Sequence, residues 1–299
     1  MPSIPNDAFV HLHVHSEYSL LDGACRISEM MSHVKAMGQK AVALTDHGVM
    51  YGVMPFYQAA KTAGLHPVIG CEVYVAQRTR HDREHRLDGK SYHLVLLCQN
   101  QTGYRNLVKL VSLASLEGFY HKPRVDWELL TQYHEGLICL SGCLAGEIPR
   151  LLSEGSYEAA KEKALQYQRL FGQENYYLEL QNHGIAEQQR ILPLLLRISR
   201  ETGIPVAATN DAHYIAKKDA AMQDVLIRFK RMQGYSALWI PGVDHAGIAT
   251  QIKVEEYLRE NEGITRYDLG REKFLERVWD WKRRYGDRII SQLKKLGSS

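Results

Sequence analysis

The sequence has no run of about 18 apolar residues, so no segment reads as a membrane-spanning helix. Cysteine is scarce: Cys25, Cys71, Cys98, Cys139 and Cys143 make an odd set of five with no framework spacing. That excludes a disulfide-stapled scaffold and suits a reducing cytoplasm. The opening stretch, MPSIPNDAFVHLHVHS, lacks a basic segment followed by an apolar one, so a secretory leader is not expected. Charge of one sign is also lacking, because the formal net charge is only +3. A weak basic excess of this size is no argument for nucleic acid. What remains is ordinary for a globular chain: 45% hydrophobic and 24% charged over 299 residues.

The small net charge hides two chemically different parts. Residues 228–299 hold 15 Lys+Arg against 10 Asp+Glu, which leaves 22 against 24 for residues 1–227. Thirteen of the 14 histidines lie in the first part and three of the four tryptophans in the second. A boundary near residues 220–230 is therefore expected.

Short apolar runs alternate with helix-like stretches. Strands are expected over residues 9–15, 41–45, 68–75, 92–97, 137–141, 177–180 and 206–209. Helices are expected over 27–37, 53–63, 104–116, 157–171 and 186–202, with Gly38, Gly64, Gly172 and Gly203 at their C-terminal ends. This rhythm implies a parallel α/β barrel, whose site gathers at the C-terminal ends of the strands. Residues 77–90 are almost all polar and read as an exposed loop, with His81 and His85 on the surface.

Those expected strand ends are where metal-ligating side chains collect. His11, His13 and His15 alternate along the first strand, and Asp22 follows in a loop closed by Gly23. Asp46 and His47 end the second strand, Glu72 lies in the third, and His93 opens the fourth. Cys143 follows the fifth, and Asp211 and His213 follow the last. Each alone reads more blandly, as a core histidine, a small apolar thiol or a turn aspartate. Together they form a ring of imidazole, carboxylate and thiol that would be expensive to bury without a cation.

The words HVHSEYSLLDG, TDHG, GCEVYV, YHLVLL, SGC and NDAHY, in that order, resemble the successive motifs of the PHP (polymerase and histidinol phosphatase) family. LLDGACRI, GFYHKPRVDWELL and LSGCLAGEIPRLL resemble the DNA polymerase III alpha branch in particular. The resemblance covers about residues 7–227. It implies an α/β fold, a distorted seven-stranded (β/α) barrel, followed here by a mostly helical C-terminal appendage. It implies His13, His15, Asp22, His47, Glu72, His93, Cys143, Asp211 and His213 as ligands of two to three divalent ions, such as zinc, manganese or iron, and leaves His11 outside that set. The Cys143 thiolate would favour a zinc-like ion.

Nine mixed ligands suit a multi-metal cluster, in which ions can share a hydroxide that attacks phosphorus. The expected activity is hydrolysis of phosphate esters or of DNA 3′ ends, as a proofreading-type 3′–5′ exonuclease, with His13, His15 and Asp211 carrying the chemistry through the metal. Lys122 and Arg124 are candidate phosphate contacts, with ordinary surface charge an equal reading. The resemblance also implies the polymerase body and a proofreading subunit as partners, no membrane, and a cytoplasmic location. The alternative is a non-catalytic domain that holds metal for stability and docks those partners.

After Asp224 the sequence changes character. LWIPGVDHAGIATQ and its surroundings are very similar to valyl-tRNA synthetase, and MQDVLI suits both families, so the chain reads as a chimera joined near residues 222–227. Residues 1–227 are expected to be the PHP domain and residues 228–299 a partial segment with no catalysis of its own. The signature motifs that bind ATP in that family are not in this sequence. A tRNA-binding role, suggested by Trp279, Trp281, Arg283 and Arg284, ranks below an amphipathic helix surface. Leu238, Trp239, Ile240, Phe274, Trp279 and Trp281 are expected to lack the partners such a segment normally packs on, and so to be loosely held.

Overall fold

A computed structural model of the chain describes residues 9–20, 22–216, 219 and 247–278. It divides into two compact units, Met1–Ala220 and Ala221–Ser299.

The first unit is a curled, seven-stranded mixed sheet covered by helices. In chain order its elements are α1 (Ile27–Ala36), β1 (Ala41–Leu44), α2 (Val53–Ala63), β2 (His66–Ala76), α3 (His85–Asp88), β3 (Ser91–Cys98), α4 (Gln101–Leu116), β4 (Arg124–Val125), α5 (Trp127–Tyr133), β5 (Leu137–Leu140), α6 (Glu147–Ser153), α7 (Tyr157–Phe171), β6 (Tyr176–Leu180), α8 (Ala186–Thr202) and β7 (Val206–Ala208). The strand order is β1-β2-β3-β5-β6-β7, with β4 paired to β2. The α/β class and the count of seven strands match expectation, although β4 stands in place of the strand expected over residues 9–15. The all-parallel pairing does not: β3 runs antiparallel to both β2 and β5. Between β2 and β3 lies only the polar loop with the single turn α3, and a parallel return needs a crossover of about a dozen residues, usually a helix.

Residues 9–15 form no strand. They bridge the two edges of the sheet instead. His11 pairs with Val42 and Val14 with Ala212. The His15 N–H donates to the Ala212 carbonyl at 2.8 Å, and the Ala212 N–H donates to the His13 carbonyl at 3.0 Å.

Alternation along the strands sorts two cores. On β3, Leu94 and Leu96 face the helices, in a cluster with Leu107, Leu110, Tyr167 and Tyr176. Val95 and Leu97 face inward, with Ala43, Leu140 and Leu12. α1 and α2 pack over β1 through Met31, Val34, Phe56 and Leu44. The helices end where the glycines stand, Gly64 and Gly203 being left-handed caps. His81 and His85 are exposed.

The second unit contains α9 (Gly247–Asn261) and α10 (Arg266–Leu269), with residues 271–278 also helical. Thr265 and Asp268 form a capping box at the start of α10. Phe274 is not without a partner: it is buried against Val254 and Leu258. The expectation placed on Leu238, Trp239, Ile240, Trp279 and Trp281 lies outside the described residues. Among the described residues, no helix is long and apolar enough to cross a membrane.

Candidate metal centre

The inward face of the sheet carries polar side chains at one end, above the apolar plug. His93 lies two residues before Val95 on β3, and Glu72 pairs directly with Val95 from β2. The bridging segment brings His13 and His15, the turn after β1 brings His47, and the stretch after β7 brings Asp211 and His213.

Glu72 is fully buried at the middle of the cluster. Its Oε1 lies 3.2 Å from His13 Nε2 and 3.0 Å from His93 Nδ1. Its Oε2 contacts His47 Nδ1. Asp211 Oδ1 lies 3.3 Å from His13 Nε2 and 3.1 Å from His15 Nε2. Asp22 Oδ2 lies 3.4 Å from His47 Nε2 and 3.8 Å from His213 Nε2. Cys143 Sγ sits 3.8 Å from His93 Nδ1 and 3.9 Å from Glu72 Oε1. All nine residues implied by the family resemblance thus converge on one place. Three sets have ligand atoms mutually within 4.8 Å: His13–His15–Asp211, His15–His47–His213 and His47–Glu72–His93.

Local backbone aims these groups. Asp211 adopts φ 44°, a left-handed conformation that costs a non-glycine residue about 1–3 kcal/mol and collects at functional sites. Gly142, before Cys143, has φ 82°, and a Cβ there would meet the His93 carbonyl at 2.6 Å. Asp46 is no ligand. Its carboxylate accepts from the Ser16 N–H at 2.7 Å and from the Ser19 hydroxyl at 2.9 Å, which buckles the loop carrying Asp22.

The donor set fits a group of cations. Nε2 of His13 and of His15, Nδ1 of His47, Oε2 of Glu72, and Oδ1 of Asp22 and of Asp211 are all buried without a hydrogen bond of regular geometry, most of them meeting only one another. Each such atom costs about 1–3 kcal/mol, so six in one place would be a heavy penalty for a polar core with no ligand. Meanwhile the far nitrogens of several rings are engaged. His15 Nδ1 lies 3.2 Å from the Ser19 hydroxyl, and His213 Nδ1 lies 2.9 Å from the Asp211 carbonyl.

Electrostatics agree. Burial opposes a proton on His13, but Glu179, Asp211 and Glu72 override it and hold the imidazolium well above the usual range. Burial also works against His47, yet Asp22 and Glu72 raise it to about 9. Burial wins at His15 and lowers it to about 4. Burial, then Glu72 and Asp211, push the Cys143 thiol well up. Without a cation, protons on imidazoles are the counterions of the carboxylates, and metal binding must release protons.

The two candidate phosphate contacts part company. Lys122 Nζ lies 5.3 Å from the Tyr74 ring centroid, and that ring stands 5.1 Å from His93, at the rim of the cluster. Arg124 is 1% exposed and spends its guanidinium on the carbonyls of Gly118, Arg80, Asp82 and Asp88. It is committed to holding the loop of residues 80–88 and has no donors directed at a phosphate. His11 stays outside the cluster, its ring 4.9 Å from Phe9.

Sequence reasoning missed Glu179. Its Oε1 lies 2.7 Å from His13 Nδ1, on the ring edge opposite the cluster. The signal was present in YYLEL on β6, where Tyr176 and Leu178 pack under the helices and Glu179, one residue on, faces inward.

Comparisons with known proteins follow this geometry. The PHP domain family matches residues 11–183, and the class I tRNA synthetase family (I, L, M and V) matches residues 202–299. The DNA polymerase III alpha subunit of Treponema pallidum is 50% identical over 221 residues, and that of Borreliella burgdorferi 48% over 220. These stretches are 74% and 73% of this chain but 19% of each relative, so the chain spans about a fifth of their length. Among solved structures, a proposed metal-dependent phosphoesterase from Bifidobacterium adolescentis superposes with a TM-score of 0.45 at 15% identity, covering 80% of this chain and 98% of that one. An amidohydrolase from Chromobacterium violaceum with bound sulfate gives 0.44 at 16%, covering 69% and 88%.

Proposed function

We propose a function from one premise: this chain belongs to the PHP domain family, which matches it over residues 11–183. The function is a multi-metal phosphoesterase that hydrolyses phosphate esters or DNA 3′ ends, as a proofreading-type exonuclease. The observation that carries it is the convergence of buried, unpartnered nitrogens and oxygens from His13, His15, Asp22, His47, Glu72 and Asp211. His93, Cys143 and His213 complete the set of residues that would hold two to three divalent ions. Such ions, when bound, supply charge neutralisation for phosphoryl oxygens and activation of water at neutral pH.

The chain's own residues do the rest. Glu72, buried between two of the sets, holds neighbouring positions together, and Asp211 does the same between His13 and His15. Ser19 fixes the His15 ring, leaving its Nε2 free. Lys122 at the rim offers a cation to a phosphate, a role Arg124 cannot share. Similarity to polymerase III alpha subunits supports DNA as substrate, and the polymerase body and proofreading subunit as partners in a cytoplasmic setting. Residues 1–227 are proposed as the functional domain. Residues 228–299 are proposed as a partial synthetase-like segment that neither aminoacylates nor exchanges ATP.

Elemental analysis after dialysis tests this directly. More than one transition-metal ion per chain is expected, with chelator-sensitive hydrolysis of a small phosphate ester or a single-stranded DNA end. At most one tightly held ion would defeat the multi-metal reading. Full metal loading without turnover would leave a domain that holds metal only for its fold.

A further inference from the structure

We infer that Glu179 is a positioning residue that fixes the His13 ring, so that Nε2 is presented to the metal cluster. The inference rests on the proposed metal centre and adds a residue to it. His13 is fully buried, and its two ring nitrogens face different surroundings. Nε2 has no hydrogen-bond partner and lies 3.2–3.3 Å from the Glu72 and Asp211 oxygens that belong to the cluster. Nδ1 lies 2.7 Å from Glu179 Oε1. A carboxylate can only accept, so this contact places a proton on Nδ1 and leaves the Nε2 lone pair for a cation. Among metal-ligating histidines such a partner commonly sets the tautomer and ring orientation.

Glu179 is itself held. The Gln181 side-chain amide donates to Oε1 at 2.9 Å, and the Thr209 hydroxyl donates to the same oxygen. The Glu179 N–H donates to the Ser141 hydroxyl at 2.9 Å, which ties β6 to the end of β5. Oε1 is filled by these three partners, while Oε2 is buried without a hydrogen-bond partner, so the assignment of Glu179 to His13 rests on Oε1 alone. Glu179 also belongs to none of the three sets of mutually close ligand atoms. A buried carboxylate at 2% exposure, far from any Lys or Arg contact among the described residues, is costly unless it serves a partner, and here that partner is His13.

The test uses the full-length chain and Zn²⁺ alone, titrated in competition with a chromophoric chelator. Glu179→Gln keeps an acceptor for Nδ1 but loses the charge, and should weaken binding about 10-fold at unchanged stoichiometry. Glu179→Ala removes the acceptor and should weaken it about 100-fold. Thr209→Val, which frees Glu179 to turn, should fall between the wild type and Glu179→Gln. Nitrogen-15 spectra of the histidines supply a readout independent of zinc. A slowly exchanging His13 Nδ1 proton is expected in chelated and loaded wild type, shifted in Glu179→Gln and absent in Glu179→Ala. If Glu179→Ala does not fold, Glu179→Gln decides. Wild-type affinity in Glu179→Gln together with an unmoved Nδ1 signal overturns the inference, and so does a drop in its zinc stoichiometry, which would make Glu179 a ligand. A wild-type chain that binds no zinc sinks the metal reading first, and is recognised before any variant is compared.

Discussion

The first unit buries two clusters of charge, and they are built on opposite plans. In one, His13, His15, His47, Glu72 and Asp211 crowd together and leave nitrogens and oxygens without partners. In the other, Arg80 and Arg124 tie the loop between β2 and β3 to the stretch around β4. Arg80 reaches Asp126 at 3.1 Å, Glu117 at 2.8 Å and Glu128 at 2.7 Å. Arg124 donates to four backbone carbonyls, and Arg78 pairs with the buried Asp88. Among the described residues, no buried side-chain N or O of this arginine knot lacks a partner. A satisfied cluster holds structure together, while an unsatisfied one points to something it was built to receive. The knot is also the more exposed of the two, Arg78 and Glu128 reaching solvent, but the property that points to a ligand is the unmet hydrogen-bonding capacity of the first cluster.

That contrast can be broken by substitution. His13→Ala or Asp211→Ala should lower phosphoesterase turnover by at least about 100-fold while leaving far-ultraviolet circular dichroism unchanged, since ligand loss should cost more than loss of an outer partner. Activity surviving either change would belong to a contaminant or another site. Arg124→Met should do the reverse. It strands four carbonyls and removes a buried cation, at a cost of about 3–5 kcal/mol in denaturant unfolding, with metal content unchanged. A stable Arg124→Met protein with weakened phosphate binding would reinstate Arg124 at the site.

pH sharpens the comparison through its sign. In the metal-free protein His47 is raised to about 9, so the folded state binds the extra proton between about 6.5 and 9. Stability from this pairing is complete below about 6.5 and is lost as pH rises through about 9, a fall of about 3 kcal/mol. The loaded protein should move the other way, because protons and ions compete for the same imidazoles, and metal retention should fail below about pH 6. Thermal midpoints of chelated and loaded samples across this range check both slopes, and parallel slopes would count against a metal at His47. The smallest effect concerns the rim. Lys122→Ala should raise KM for a phosphate ester about 2–5-fold, as loss of a partly exposed charge contact does, with kcat and metal stoichiometry unchanged.

Much of this was legible in the sequence, for physical reasons that also mark where legibility stops. Helices α1, α2, α7 and α8 announce themselves by apolar spacing and terminal glycines. All nine implied ligands meet at one end of the sheet, but only Glu72 and His93 lie on strands; the others stand on the bridging segment and on turns and loops beside the strands. Residues 9–15 alternate like a strand, yet Leu12 packs in the inner core and Val14 under the helices, and the segment only bridges its neighbours. Alternation shows which residues share a face, not whether a ladder has partners on both sides. The direction of β3 could have been argued from the missing crossover helix, but a β-then-α rhythm masked it. Arg124 looked like a loop cation because burial of a guanidinium depends on carbonyls gathered from residues 80–118. Glu179 went unnoticed because a single carboxylate in a short strand carries no signal by itself, and only the fold shows that its side of β6 faces inward.

The bridging of the sheet edges by residues 9–15 has a consequence in time. His13 and His15 are synthesised about two hundred residues before the Ala212 backbone that they bond. Pairings so distant in sequence are slow to form, because the intervening chain must be ordered before they are rewarded. The last event in assembly of the first unit should therefore be the docking of its N-terminal segment, delivering two imidazoles to a cluster whose other members already stand in place. Pulsed hydrogen exchange during refolding should find the His15 and Ala212 amides among the last to gain protection, and an early appearance there would mean that this segment guides the fold.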